Sequence, residues 1–183
     1  MSEDYLVWQA APTLAGLKTG SLFPCKYESY EKLKEEIRVV NQTLVKKGLR
    51  LIPLRRDDKQ ALLYLYRPER LRADLSAPEA TDILRREGYS DLRLERCLQE
   101  LMRRLQQFGA FPHEIGLFLS YPPEDVRGFI EHRGHDSKCD GCWKVYGDAE
   151  RATKTFRIYK KCTDCYCRQK AMGVPISCLV VAG

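Results

Sequence analysis

Apolar residues dominate one run near the middle of the chain, FPHEIGLFLSYPPEDVRGFI at positions 111–130. Within it, Ile115, Leu117 and Leu119 alternate with other small or apolar residues, as is typical of a strand buried on both faces. The two prolines that follow fit the first turn of a helix, where their missing N–H is not needed. The run therefore predicts a central buried strand over 115–119, a tight turn and a helix.

Helical periodicity is clear in two other segments. Ser29 is placed to cap a helix that ends near Lys47 and Gly48, with its apolar stripe at Leu33, Ile37, Val40 and Leu44. Ser90 and Asp91 precede a second helix that ends at Gly109. The apolar stripe of this second helix comprises Leu94, Cys97, Leu98, Leu101, Leu105 and Phe108.

Shorter elements connect these helices. A polar loop between the apolar runs 49–54 and 61–67 predicts a β-hairpin. Short helical segments are expected over 67–86, and a helix is expected from Asp148 to the cysteines near 162–167. Further strands are expected over 13–18, 143–146 and 176–181.

Interleaved strands and helices of this kind predict an α/β or α+β fold with a mixed β-sheet flanked by helices. A length of 183 residues favours a single domain over 1–183, and residues 131–170 form its Cys- and His-rich C-terminal portion.

Composition narrows the class of protein. The net charge of +6 is modest and opposite charges are interspersed, so nucleic-acid binding is disfavoured. A weak nucleic-acid binder remains an alternative, through the Arg55-Arg56 loop and the basic C-terminal helix. The sequence contains no signal-peptide pattern and no apolar run of membrane-spanning length. We therefore expect a cytoplasmic protein without a membrane partner.

Eight cysteines in a reducing compartment favour thiols, metal ligands or redox centres over disulfides. Two C-x-x-C pairs, Cys139/Cys142 and Cys162/Cys165, are separated by 19 residues, a spacing typical of zinc sites. A strand leading away and a helix leading back would bring the pairs together. Zinc is favoured over an iron–sulfur cluster, and the further candidate ligands are Cys167, His132 and His135.

Other readings of the cysteines remain open. Cys97 lies on an apolar helical stripe and is expected to be a buried thiol, and Cys25 is interpreted in the same way. The C-terminal cysteines could instead be exposed thiols that oxidise reversibly, or they could pack inward.

A second candidate site is the polar pair His113 and Glu114 at the start of the central run. Such a pair is suited to general acid/base chemistry, and Lys18 could supply a positive charge near it. The structural alternative is that His113 binds backbone carbonyls and fixes the turn.

The blocks APTLAGLKTGSLF, FPHEIGLFLSYPPEDVRGFI and WKVYGD occur in this order along nearly the whole chain. They resemble an uncharacterised bacterial family, domain of unknown function 3793. The resemblance implies that the central block, including His113 and Glu114, is the family's hallmark, and it implies no activity. In that family His-Cys often precedes the APTLAG run, whereas this chain has Gln9 and Ala10 there.

The leading hypothesis is a cysteine-ligated metal-binding protein, acting as an accessory or redox-linked protein. Its partner is unknown, and a protein is one candidate. The main alternative is a degenerate member of a Cys/His enzyme family that lacks its nucleophile at Ala10. For this chain, an enzyme is the less favoured interpretation.

Overall fold

The computed structural model describes residues 1–107 and 111–183. The chain divides into two units, one formed by Met1–Glu69 with Tyr159–Gly183 and the other by Arg70–Ile158. We call them unit 1 and unit 2. None of the helices in the described part of the chain combines the length and the apolar character needed to cross a membrane.

A three-stranded antiparallel sheet is the centre of unit 1. Its strands are β1 (Gly20–Lys26), β2 (Arg50–Arg56) and β3 (Gln60–Tyr66), in the order β1-β3-β2. β2 and β3 form the predicted hairpin, with an irregularity in register between Pro53 and Arg55. The sheet is antiparallel throughout, so the α+β alternative with a hairpin is the one confirmed, and the mixed strand directions expected from the sequence are not observed among the described strands.

Helices cover this sheet. They are α1 (Glu3–Leu14), α2 (Tyr30–Leu44), the later part of α8 (Ala149–Ala171) and α9 (Ile176–Leu179). The Ser29 hydroxyl accepts from the Lys32 N–H at the start of α2, and Gly48 has a positive φ after the 3₁₀ turn Val45–Lys47. These two ends confirm the predicted boundaries, because a left-handed residue stops a helix at little cost when it is glycine.

Two predicted strands of unit 1 are wrong. Residues 13–18 contain the end of α1 and the following turn, because Leu6, Ala10 and Leu14 recur at helical spacing and are fully buried. Residues 176–181 begin with the helical turn α9, which Pro175 precedes, and only then become extended. Helix α8 also continues beyond the cysteines to Ala171.

Unit 2 is built mainly from helices. They are α3 (Pro68–Ser76), α4 (Pro78–Arg86), α5 (Leu94–Gln107), α6 (Ile115–Phe118), α7 (Pro123–His132) and the first part of α8. A small antiparallel hairpin, β4 (Cys139–Asp140) with β5 (Lys144–Val145), completes it. The stripe of α5 is buried from Leu94 to Leu105 as predicted, whereas Phe108 and Gly109 lie outside the described residues.

The central strand predicted over 115–119 is also wrong, because Ile115–Phe118 is a single helical turn. Leu117, Phe118 and Leu119 are buried as expected, but an apolar run this short does not distinguish a buried strand from a buried helical turn. The helix predicted after the prolines is confirmed as α7, with Pro122 as its N-cap residue.

Candidate functional site

The hallmark run of the sequence forms one side of a cavity in unit 2. The cavity has a volume of about 420 Å³ and lies between α6, α7 and the β4–β5 hairpin. Its aromatic lining residues are Phe111, Tyr121, Phe129 and Trp143. Its polar lining residues are His113, Asp125, Asp140 and Lys144. The volume is within the range of small-molecule sites, which are typically concave, apolar and equipped with a few polar groups.

Asp125 connects α7 to the hairpin. Its carboxylate is buried, and Oδ2 accepts from Trp143 Nε1 at 2.7 Å. Oδ1 accepts from the backbone N–H of Tyr146 at 2.7 Å and of Gly147 at 2.8 Å. Three donors therefore occupy both oxygens, so Asp125 fixes the cavity wall and has no free oxygen pointing at a ligand.

Aromatic contacts shape the floor of the cavity. The Trp143 ring stacks on Tyr121 with a centroid separation of 4.9 Å and meets Phe156 edge-on at 4.5 Å. A Cβ on Gly141 would lie 2.2 Å from the Phe156 ring, so the hairpin needs glycine there to approach α8. Trp143 is thus held in place from both sides, by Tyr121 and by Phe156.

Charged and polar groups are found at the mouth. His113 and Asp140 are exposed and Lys144 is half-buried. Asp140 accepts from the Ser137 hydroxyl at 2.6 Å and from Lys144 Nζ at 3.2 Å. The hydrogen bond from Ser137 lowers the pKa of Asp140, and the hydrogen bond from Lys144 lowers it further. The cavity is therefore amphipathic, with an apolar interior and a charged rim.

His113 and Glu114 point to different surroundings. The His113 ring lines the cavity and contacts the Phe129 ring edge-on at 5.0 Å, and no described residue hydrogen bonds to the imidazole. Glu114 is instead 1% exposed and accepts from the Tyr89 hydroxyl at 3.0 Å and from Arg104 Nη1 at 3.2 Å. The predicted acid/base pair is therefore split between a cavity residue and a buried ion pair.

The surroundings of Glu114 indicate a structural role. Arg104 also binds Glu100 at 2.8 Å and the Glu87 carbonyl, and its guanidinium lies over the Tyr89 ring at 4.7 Å. Burial, strengthened by the nearby Glu114 carboxylate, raises the pKa of Tyr89. Glu114 thus joins the start of α6 to α5 and to the turn that precedes α5.

The remaining enzyme candidates lie in unit 1. Ala10 is fully buried in the core beside Leu6 and Leu14, so a thiol at this position would have no access to solvent in this structure. Lys18 follows the end of α1 and belongs to the same unit.

The APTLAG run has a structural explanation in unit 1. The buried Arg67 guanidinium donates to the carbonyls of Thr13 at 3.0 Å, Leu14 at 2.9 Å and Val181 at 2.8 Å. A cation at the C-terminal end of α1 satisfies its last carbonyls and complements the helix dipole. Gly16, with φ of +75°, lies 3.6 Å from this guanidinium, measured from an ideal Cβ position.

The two C-x-x-C pairs have different settings. Cys139 is in β4 and Cys142 is exposed in the hairpin turn of unit 2. Cys162 and Cys165 are half-buried on α8 in unit 1, with Cys167 close by. Burial, with Cys165 adding to the effect, raises the pKa of the Cys162 thiol to about 11. Burial also raises the pKa of Cys167.

A built metal centre is not observed in the described part of the chain. There, no three or more His, Cys, Asp or Glu side chains are grouped so that they could hold a metal ion. His132 stacks on Tyr146 at 5.5 Å and His135 accepts a hydrogen bond through its backbone carbonyl from the Tyr146 hydroxyl. The thiols Cys25 and Cys97 are buried as expected.

Several of the basic residues considered for nucleic acid form contacts within the protein. Arg55 lies 3.8 Å from Asp57, and Arg56 lies over the Tyr30 ring at 4.6 Å. On α8, Lys154 pairs with Glu150 and Lys170 with Glu3. These contacts favour the interpretation of a solvated surface.

The chain matches a known protein family over most of its length. Residues 6–180 match the family described as Protein of unknown function (DUF3793). The chain belongs to this family. The resemblance expected from the three sequence blocks is thereby confirmed. No curated protein and no solved structure matches the chain.

The sequence pattern indicated only some of the residues that line this cavity. It singled out His113 and the run around it, but it assigned no site role to Tyr121, Phe129, Trp143 or Lys144. The available signal was the concentration of aromatic residues in two of the blocks that identify DUF3793. Only the fold shows that these blocks face one cavity.

Proposed function

We propose that unit 2 of this DUF3793 protein is a binding module for a small, largely apolar molecule. The observation that carries the proposal is the 420 Å³ cavity, whose walls come from the hallmark run and the hairpin. Its volume suits a molecule of one to three rings, which would gain free energy by burying apolar surface. The buried contacts of Asp125 and Glu114 preorganise the walls, so little ordering is required on binding.

The cavity offers no nucleophile paired with a base among its described lining residues. His113 is a titratable group at the mouth, whereas both oxygens of Asp125 already accept hydrogen bonds. Binding rather than turnover is therefore the function we propose.

A substitution that fills the cavity without altering its charge tests this proposal. Ile115 is half-buried and lines the cavity, so Ile115→Phe should occupy part of its volume. We expect a naphthalene-sulfonate dye to bind the wild-type protein with enhanced fluorescence, and this enhancement should fall by about tenfold in the variant.

The matched control is Ile158→Phe. Ile158 belongs to the same unit, is 51% exposed and does not line the cavity. The control should keep wild-type dye binding. Equal dye binding by both variants would show that the dye uses another surface and would contradict the proposal.

Zinc binding is the second candidate. It is favoured by the hairpin, in which Cys139 and Cys142 flank Asp140 and Gly141 and so supply two thiols at one turn. A closed zinc site needs four ligands, so this proposal requires two further ligands from outside the hairpin. A redox role of these thiols would use the same residues, and a cytoplasmic location would keep them reduced.

Elemental analysis of protein purified without oxygen tests this second candidate. Bound zinc at about one equivalent per chain is expected, with a clear decrease in Cys142→Ser but not in Cys178→Ser, which changes another exposed cysteine. A folded wild-type protein that contains neither zinc nor iron would rule it out.

A further inference from the structure

The polar groups of the cavity are concentrated at its mouth. His113 and Asp140 are exposed and Lys144 is half-buried, whereas Val126 and Trp143 deeper in the lining are buried. A ligand that fits this distribution has an apolar body for the interior and one polar group for the mouth. The remaining question is the charge of that polar group.

The hydrogen bonds at the mouth indicate the charge of that polar group. The Asp140 carboxylate accepts from Ser137 through Oδ1 and from Lys144 through Oδ2, and the Asp125 carboxylate accepts from three N–H groups. Both carboxylates at the cavity thus have a donor on each oxygen. A ligand cation would therefore share oxygens that already accept hydrogen bonds, and at Asp140 it would lie beside the Lys144 ammonium.

Donors are in excess at the same place. The Lys144 ammonium has three N–H groups, and among the described residues only Asp140 accepts from it. The His113 imidazole carries at least one N–H and has no hydrogen-bond partner among the described residues. Two groups with free N–H donors, beside acceptors that are already engaged, favour a ligand group that accepts hydrogen bonds and carries negative charge.

On the basis of the function proposed above, we propose that the ligand is an aromatic or similarly apolar acid, whose acidic group binds Lys144 and His113 at the mouth of the cavity. The aromatic body packs against Phe129 and Tyr121, which line the cavity. The assignment concerns the chemical class of the ligand, an apolar body with a single carboxylate-like group.

Three probes with one shared ring system test this class in the full chain. They are 2-naphthoate, 2-methylnaphthalene and 2-naphthylmethylammonium, which differ mainly in the charge of the substituent. Binding is followed through Trp143 fluorescence in a Trp8→Phe background, because Trp8 and Trp143 are the two tryptophans of the chain. We expect 2-naphthoate to bind about tenfold more tightly than the ammonium compound.

Matched lysine variants locate the preference. Lys144→Gln should remove the advantage of 2-naphthoate and leave 2-methylnaphthalene binding unchanged. Lys138→Gln is the control, because it removes the same charge from the same hairpin region, and Lys138 bonds the Gly147 carbonyl rather than lining the cavity. His113→Phe, which keeps a ring beside Phe129, should weaken only 2-naphthoate and gives a second measurement if Lys144→Gln perturbs the hairpin.

The outcomes separate this inference from the function on which it rests. Tight 2-naphthoate binding that depends on Lys144 and not on Lys138 supports both. Equal affinity for the three probes, or a preference for the ammonium compound, overturns the acid class and leaves the cavity as a binding site. Failure of all three probes to bind, together with failure of the dye, overturns both.

Discussion

His113 and Glu114 are adjacent in the sequence and have opposite environments. The His113 side chain is exposed at the cavity mouth, whereas Glu114 is 1% exposed and is bound by Tyr89 and Arg104. Removing Glu114 would leave the buried Tyr89 hydroxyl without its acceptor, whereas the Arg104 guanidinium would keep Glu100 and the Glu87 carbonyl. Removing His113 takes away no core volume and no described hydrogen bond of its ring.

We therefore expect Glu114→Ala to lower the free energy of unfolding by about 1–3 kcal/mol, the cost of an unsatisfied buried group, because Arg104 keeps its ion pair with Glu100. His113→Phe should change it by less than about 0.5 kcal/mol. Urea-induced unfolding of the two variants measures both values. A neutral Glu114→Ala would mean that the Arg104 contact does not stabilise the fold.

The sequence indicated that both residues matter but could not separate their roles. Two polar residues before an apolar run have the same pattern whether they face a cavity or a buried arginine. Arg104 is ten residues away from Glu114 and Tyr89 is 25 away, so the ion pair depends on how α5 packs against α6. Residue type alone therefore singled out this position and could not distinguish a cavity residue from a buried ion-pair residue.

At the scale of elements, long periodic segments were predictable and short apolar runs were not. The buried stripe of α5 and the β2–β3 hairpin follow directly from the spacing of apolar residues. The run 115–119 and the segment 176–181 are too short for their periodicity to distinguish strand from helix. The small residues of APTLAG concealed the helical spacing of α1 in the same way.

The contact between α7 and the β4–β5 hairpin depends on Asp125. An asparagine at this position would present an NH₂ group toward N–H donors, so one hydrogen bond would become a donor–donor contact. We expect Asp125→Asn to lower the free energy of unfolding by about 1–3 kcal/mol and to speed amide hydrogen exchange at Tyr146 and Gly147.

The control for this change is Glu131→Gln on the same helix, where the carboxylate is exposed. It should leave both stability and exchange at the wild-type level. Unchanged exchange at Tyr146 and Gly147 in Asp125→Asn would show that the hairpin is held by other contacts.

At the scale of the whole molecule, the two units differ in what they offer to a ligand. The APTLAG run is explained in unit 1 by the end of helix α1 and by the buried Arg67. The central hallmark run and the later WKVYGD block together line the cavity of unit 2. Membership of the DUF3793 family covers both units, since the match extends from residue 6 to residue 180.

The measurement that tests the central claim most directly is a calorimetric titration of the full chain with 2-naphthoate. It is performed on the wild-type protein, Ile115→Phe and Ile158→Phe. The cavity in unit 2 predicts one site per chain in the wild-type protein and in Ile158→Phe, with affinity lowered by about tenfold or more in Ile115→Phe. Equal affinity in Ile115→Phe and Ile158→Phe, or absence of binding by 2-naphthoate together with the other two probes and the dye, would contradict the assignment of this cavity as the functional site.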